Sequence, residues 1–394
     1  MELKSIGSGS AGRILAVAGG KGGVGKSVVS IVLAAAFSER GDNVVLVDLD
    51  LGSANLHTYL GIHDDMPGVA DFLLKKVRSL SDLLVDTSIE RVKLISGARF
   101  FPGMANPPYQ TKLKLIRHLK GLCADVVIVD LGAGVHFNTL DFFAVGRPGL
   151  ITLAPEPGAV LNAYSFIKAG LFRHLMSIFG RHPQVRSFLD EVRTKGDDEN
   201  GKSSFTLESF LDNIKRVDIS LVPLVEEVIG VLQPAMVMNQ VTDLVSAVYA
   251  DNLQKLILKR LALKVHYLGN LPWIERLSQH IVGLPGFFSS NKPGKKLVAA
   301  AGELLVDLDK YFPAERVGMH TVTTSMEHCR REDFDEDDLN TLSDLLDEMK
   351  DDVFKDLSKT AWKLRLYYRP AEVVRFLMKH GVSHPVFFLD STSQ

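Results

Sequence analysis

The stretch RILAVAGGKGGVGKSVVSIVLAAAF, residues 13–37, constrains the fold more than any other part of the chain. A β-branched apolar run enters a glycine-rich loop, and the loop opens directly into an Ala/Val/Leu-rich run of helical character. Gly20, Gly25, Lys26 and Ser27 stand in the order GxxxxGK[ST]. Residues of these types between a strand and a helix form a phosphate-binding loop, because backbone N–H groups and a helix N-terminus face the anion while the lysine pairs with its charge. The expected cradle is Gly20, Gly22, Gly23, Val24, Gly25, Lys26, Ser27 and Val28, with the Ser27 hydroxyl as a Mg²⁺ ligand.

Around this loop, runs rich in β-branched residues alternate with helical stretches up to about residue 312: RILAVA, NVVLVDLD, RVKLIS, DVVIVDL, GLITLAP, AMVMNQV and KVHYLGNL. Such alternation predicts an α/β domain with a doubly wound, mostly parallel sheet. Ligands in that architecture sit at the carboxyl ends of the strands, and here those ends are rich in acids, amides and glycines. The second run ends in Asp48 and Asp50, two apart, so both carboxylates share one side if the strand extends that far. One would serve near Mg²⁺ and the other near an attacking water. The run DVVIVDL ends at Asp130, placed to hold Mg²⁺, commonly through a water. Gly132 and Gly134 leave the following loop free to move.

Lys21 adds a second lysine early in the loop, giving KGGVGKS, and this variant resembles the MinD/ParA class of dimerising ATPases. The resemblance implies a phosphate-loop NTPase fold of the SIMIBI class, with ATP and Mg²⁺ as cofactors and an ATP-dependent homodimer. In it, Lys21 reaches across to the other subunit's phosphates, Lys26 binds phosphate, Asp50 positions the attacking water, and Asn239 and Pro272 contact the adenine base. The segments GVADFLLKKVRSLSDLL, LISGARFFPGM, DLGAGV and APEPGAVLNAYSFIK narrow the resemblance to the FlhG branch, MinD-like regulators of flagellar number and placement. It covers roughly residues 12–170 and resumes near 235–312. The chain lacks the N-terminal activator motif of that branch, and its segment 170–233 is longer than the branch usually carries. The implied function is a slow, partner-stimulated ATPase switch controlling placement, number or assembly of a cellular structure. A DNA- or cargo-partitioning ParA-like ATPase and a nucleotide-binding scaffold are the alternatives.

Composition narrows the field. The net charge is −2 over 394 residues, so no global basic field favours DNA as the default partner. A mean hydropathy of +0.11, with no long uninterrupted apolar run and no charged-then-apolar leader, predicts a cytoplasmic protein. Cys123 and Cys329 are the two cysteines; their separation supports neither a disulfide framework nor a zinc site.

The chain is thus expected to comprise an ATPase domain, 1–312, with a helical insertion at about 170–233, and a helical appendage, 313–394. In the appendage an acidic block, REDFDEDDLNTLSDLLDEMKDD, precedes a basic one from Lys355 to Lys379. Leu339, Leu342, Leu346, Met349 and Val353 lie on one helical face, and Pro370 and Gly381 bracket a further short helix. Such a module is expected to recruit a protein partner. Peripheral contact with the inner face of a membrane, through the basic aromatic stretch around Trp362, is the lesser option.

Overall fold

The computed structural model describes residues 12–63, 66–98, 107–179, 183–195, 206–232, 234–242, 246–275, 277–280 and 282–313. The appendage features lie outside these residues. In chain order the elements begin with β1 (Arg13–Ala18), α1 (Lys26–Glu39), β2 (Val44–Leu49), α2 (Leu56–Tyr59), α3 (Val69–Leu73), β3 (Val85–Asp86) and β4 (Val92–Ile95). They continue with α4 (Tyr109–Lys120), β5 (Val126–Leu131), α5 (Phe137–Phe143), β6 (Gly149–Leu153), α6 (Pro157–Phe179), α7 (Pro183–Lys195), α8 (Leu207–Val217) and α9 (Val222–Val231). The last are β7 (Ala235–Val241), α10 (Ser246–Leu261), β8 (His266–Pro272), α11 (Leu284–Ser290) and α12 (Lys292–Tyr311).

The strands form one eight-stranded sheet in the order β3-β4-β2-β5-β1-β6-β7-β8. Every pairing is parallel except that of the two-residue β3 with β4. Central strands such as β2 and β5 are buried at every position, as continuous Val/Ile/Leu runs covered on both faces should be. The chain winds outward from β1 in both directions, so the end of β1 lies at a switch point of the sheet. The phosphate loop leaves the sheet at that point.

Alternate strand residues Leu15, Val17, Leu46, Ile128, Leu150 and Val237 share one core with α1, α11 and α12. Helix α1 is apolar on nearly all sides and almost entirely buried, the burial expected of such a helix. On α5 and α6, the rings of Phe143 and Phe166 meet edge to face at 5.0 Å. The far end of the sheet is closed by Arg13 at the start of β1, which pairs with Asp309 at 2.7 Å and donates to the Phe312 carbonyl at 2.6 Å.

The segment 170–233 contributes the end of α6 together with α7, α8 and α9. Helix α8 begins with a reciprocal cap in which Thr206 accepts from the Ser209 N–H, which satisfies one of the N–H groups a helix start leaves open. The described residues up to 176 and from 183 to 313 belong to one compact unit.

Candidate nucleotide site

The loop between β1 and α1 is gripped from two sides. A Cβ at Gly20 would lie 2.1 Å from the Asn162 carbonyl oxygen on α6, so only glycine fits that approach. At the other end Gly25 has φ +86°, and a Cβ there would lie 2.3 Å from Asn239 Nδ2 at the end of β7. Gly25 caps α1 without a side chain, and the first turn carries no acid. The N–H groups of Lys26, Ser27 and Val28 therefore have no intrahelical acceptor and are available to an anion. Val28 can offer only that backbone group, because its side chain belongs to the core. Lys26 is 9% exposed.

The two buried strand-end acids are lateral neighbours: Asp48 on β2 is in register with Asp130 on β5. The Asp130 carboxylate accepts from the Ser30 hydroxyl at 3.0 Å, and the Ser27 hydroxyl is near enough to favour its charged form. Burial raises its pKa to about 6, held down by the two hydroxyls and the Lys26 charge. Burial and the neighbouring Asp130 charge push Asp48 further, to about 8. Hydroxyl and carboxylate oxygens suit a hard cation such as Mg²⁺. Among the described residues no cluster of three or more His, Cys, Asp and Glu could hold a metal alone. Mg²⁺ is typically held by one or two protein groups plus phosphate oxygens and water.

The strand does not extend to Asp50. β2 stops at Leu49 and the chain turns, with the Ser53 N–H donating to the Asp50 carbonyl. Asp48 Oδ1 accepts from the Asp50 N–H at 3.1 Å, and Oδ2 from those of Asn55 and Leu56, both at 3.0 Å. It anchors the loop that presents Asp50. The Asp50 carboxylate instead lies beside Gly132, where an added Cβ would sit 3.0 Å from Oδ1. The loop following Asp130 also touches the phosphate loop, with the Gly134 N–H 3.4 Å from the Gly19 carbonyl.

Lys21 Nζ lies 2.9 Å from Glu156 Oε1. Asn239, 5% exposed, donates from Nδ2 to the Val24 carbonyl at 3.0 Å, and Gln240 Nε2 donates to the Gly23 carbonyl at 3.3 Å. Pro272 pairs with Val241 in register, and the Trp273 N–H donates to the Val241 carbonyl at 2.9 Å. The end of β7 bearing Asn239 thus adjoins the loop, while Pro272 is tied to β7 beyond it, at Val241. Sequence reasoning missed Ser30, Glu156, Asn162 and Gln240. Ser30 was legible in principle: it follows Ser27 by three residues and so shares its helical face.

The chain matches the CobQ/CobB/MinD/ParA nucleotide binding domain over residues 15–282. It is 31% identical over 177 residues to the antiactivator FleN of Pseudomonas aeruginosa, covering 42% of this chain and 59% of that protein. To the flagellum site-determining protein YlxH of Helicobacter pylori it is 27% identical over 172 residues, covering 40% and 53% respectively. The chain therefore spans little more than half the length of these curated relatives. The solved cell division ATPase MinD of Pyrococcus furiosus is similar at 18% identity, with a TM-score of 0.49 over 76% of this chain and 99% of that one. The match over 15–282, across a sheet whose strand ends gather around a KGGVGKS loop, makes this chain a member of the CobQ/CobB/MinD/ParA nucleotide-binding family.

Proposed function

We propose that the protein is an ATP-dependent dimerising switch that hydrolyses ATP to control placement, number or assembly of a cellular structure. The carrying observation is the convergence of Lys26, Ser27, Asp130 and Asp50 on one glycine loop, with Lys21 half-exposed at its mouth. Likeness to an antiactivator and to a flagellum site-determining protein supports the control role.

In this reading the N–H groups of residues 20–28 and the Lys26 ammonium hold the phosphates of ATP. Ser27 and Asp130 would hold Mg²⁺, Asp130 through a water, where a bound cation would offset phosphate charge. Asp50, supported by the Asp48-anchored loop, orients a water toward the terminal phosphate. Lys21 leaves Glu156 and reaches the phosphates of a second copy, where it offsets charge developing in the transition state. Loop 132–136 joins Asp130 to α5 and touches Gly19, so its ordering would carry the nucleotide state to the surface of α5 and α6. Asn239 and Pro272 flank the base.

The protein is proposed to act with a second copy and a protein partner, with the appendage as the recruiting module. Among the described residues no helix is long and apolar enough to cross a membrane. The test is ATP turnover with Mg²⁺ alongside static light scattering of Asp50→Ala. Accumulation of an ATP-bound dimer with little hydrolysis is expected; a monomer that hydrolyses ATP at the wild-type rate would overturn the reading.

A further inference from the structure

The end of β7 departs from regular strand geometry. Met238 pairs with Asn270 and Val241 with Pro272, so β7 spends one more residue than β8 over the same interval. The extra residue is taken up at Asn239 and Gln240 opposite Leu271, and Gln240 adopts φ +61°, a left-handed conformation unfavourable for any side chain but glycine. Bulges of this kind re-aim side chains next to functional sites. Here both amides turn toward the phosphate loop and donate to successive carbonyls, Gln240 to Gly23 and Asn239 to Val24.

In a trans peptide the C=O and N–H point in opposite directions. Holding the carbonyls of Gly23 and Val24 toward β7 therefore turns the N–H groups of Val24 and Gly25 away from it. We propose that Asn239 and Gln240 form an amide clamp that pre-sets these two N–H groups for phosphate, making Gln240 a positioning residue; this rests on the nucleotide-switch reading above. Asn239 keeps its second Nδ2 hydrogen and its Oδ1 for the base. Gln240 has no such further role, and its strained backbone is maintained for the contact with Gly23.

Gln240→Gly separates the clamp from general stability, because glycine relieves the left-handed strain while deleting the amide. Thermal melting of the nucleotide-free chain should be unchanged or higher. Isothermal titration should show binding of both Mg²⁺–ATPγS and Mg²⁺–tripolyphosphate weakened by a similar factor, roughly threefold to tenfold, as expected for lost preorganisation. Hydrogen exchange in the nucleotide-free chain should be faster at Val24 and Gly25. Gln240→Glu, which replaces the donor with acceptors facing a carbonyl, should bind no better than the glycine variant. Wild-type affinity for both ligands in Gln240→Gly, or weakening for ATPγS alone, overturns the clamp while leaving the nucleotide reading intact. Failure of the wild-type protein to bind either ligand overturns both.

Discussion

Lys21 and Glu156 form an ion pair within one chain, Nζ to Oε1 at 2.9 Å, although they are 135 residues apart. Both side chains are about half exposed, 47% and 50%, so solvent screens the pair and its worth is at most about 1 kcal/mol. Lys21 is therefore held on its own subunit weakly enough to be released. Glu156→Gln should leave the melting temperature nearly unchanged. Because each of the two subunits releases one such pair, it should shift the ATP-loaded monomer–dimer equilibrium toward dimer by no more than about thirtyfold, as read by analytical ultracentrifugation. A dimer weakened by Glu156→Gln would show that Glu156 itself acts across the interface.

Lys21→Ala should separate binding from turnover. The loop keeps its grip on α6 through Gly20 and on β7 through Asn239 and Gln240, so nucleotide affinity should change little while hydrolysis falls by roughly a hundredfold or more. Lys26→Ala should instead abolish measurable binding of Mg²⁺–ATPγS, because it removes a buried positive charge beside Asp130 at the start of α1. If the two substitutions have the same effect on affinity, the division of labour between the lysines is wrong.

The sheet was largely legible in the sequence because its strands are β-branched runs buried on both faces, and RILAVA and AMVMNQV coincide with β1 and β7. β3 was not, since its two residues, Val85 and Asp86, pair only with β4 at the edge of the sheet. Lys26, Ser27 and Asp130 were readable because motif order alone places them at strand and helix ends. Glu156 and Gln240 were not: their contacts span 135 and 217 residues, and the second depends on a bulge that no periodicity announces. Asp48 was legible as a strand-end acid, but its burial and three backbone donors depend on where β2 stops.

Gly132 offers a test of Asp50 that leaves the carboxylate in place. A Cβ there would lie 3.0 Å from Asp50 Oδ1 and 3.3 Å from Cγ, so Gly132→Ala should displace the group. Asp50→Ala removes the residue proposed to orient the attacking water and should lower turnover by roughly a hundredfold; Gly132→Ala should lower it less. Both should bind ATP as the wild type does, as stopped-flow binding with a fluorescent analogue can determine. Unaltered turnover in both variants would remove Asp50 from the mechanism.

His174 on α6 makes stability depend on pH in a definite direction. Burial lowers its pKa from 6.5 to about 4, with the Arg147 charge adding to the effect and Asp141 opposing it. Asp141 is itself buried and paired with Lys112 and with Arg173, the latter at 2.7 Å. Between pH 6.5 and 4 the unfolded chain takes up a proton at this histidine that the native chain excludes, so its contribution to stability is present above pH 6.5 and is lost as pH falls toward 4. The loss amounts to about 3 kcal/mol at most. Asp48 and Asp130, whose pKa values are raised, act oppositely: the native state binds protons there first, which favours it on acidification. Only a difference measurement isolates the histidine. In urea titrations, His174→Gln should be destabilised relative to wild type at pH 7.5, and that deficit should shrink as pH falls to 4.5, because glutamine carries no titration. A deficit independent of pH would mean that His174 contributes packing alone.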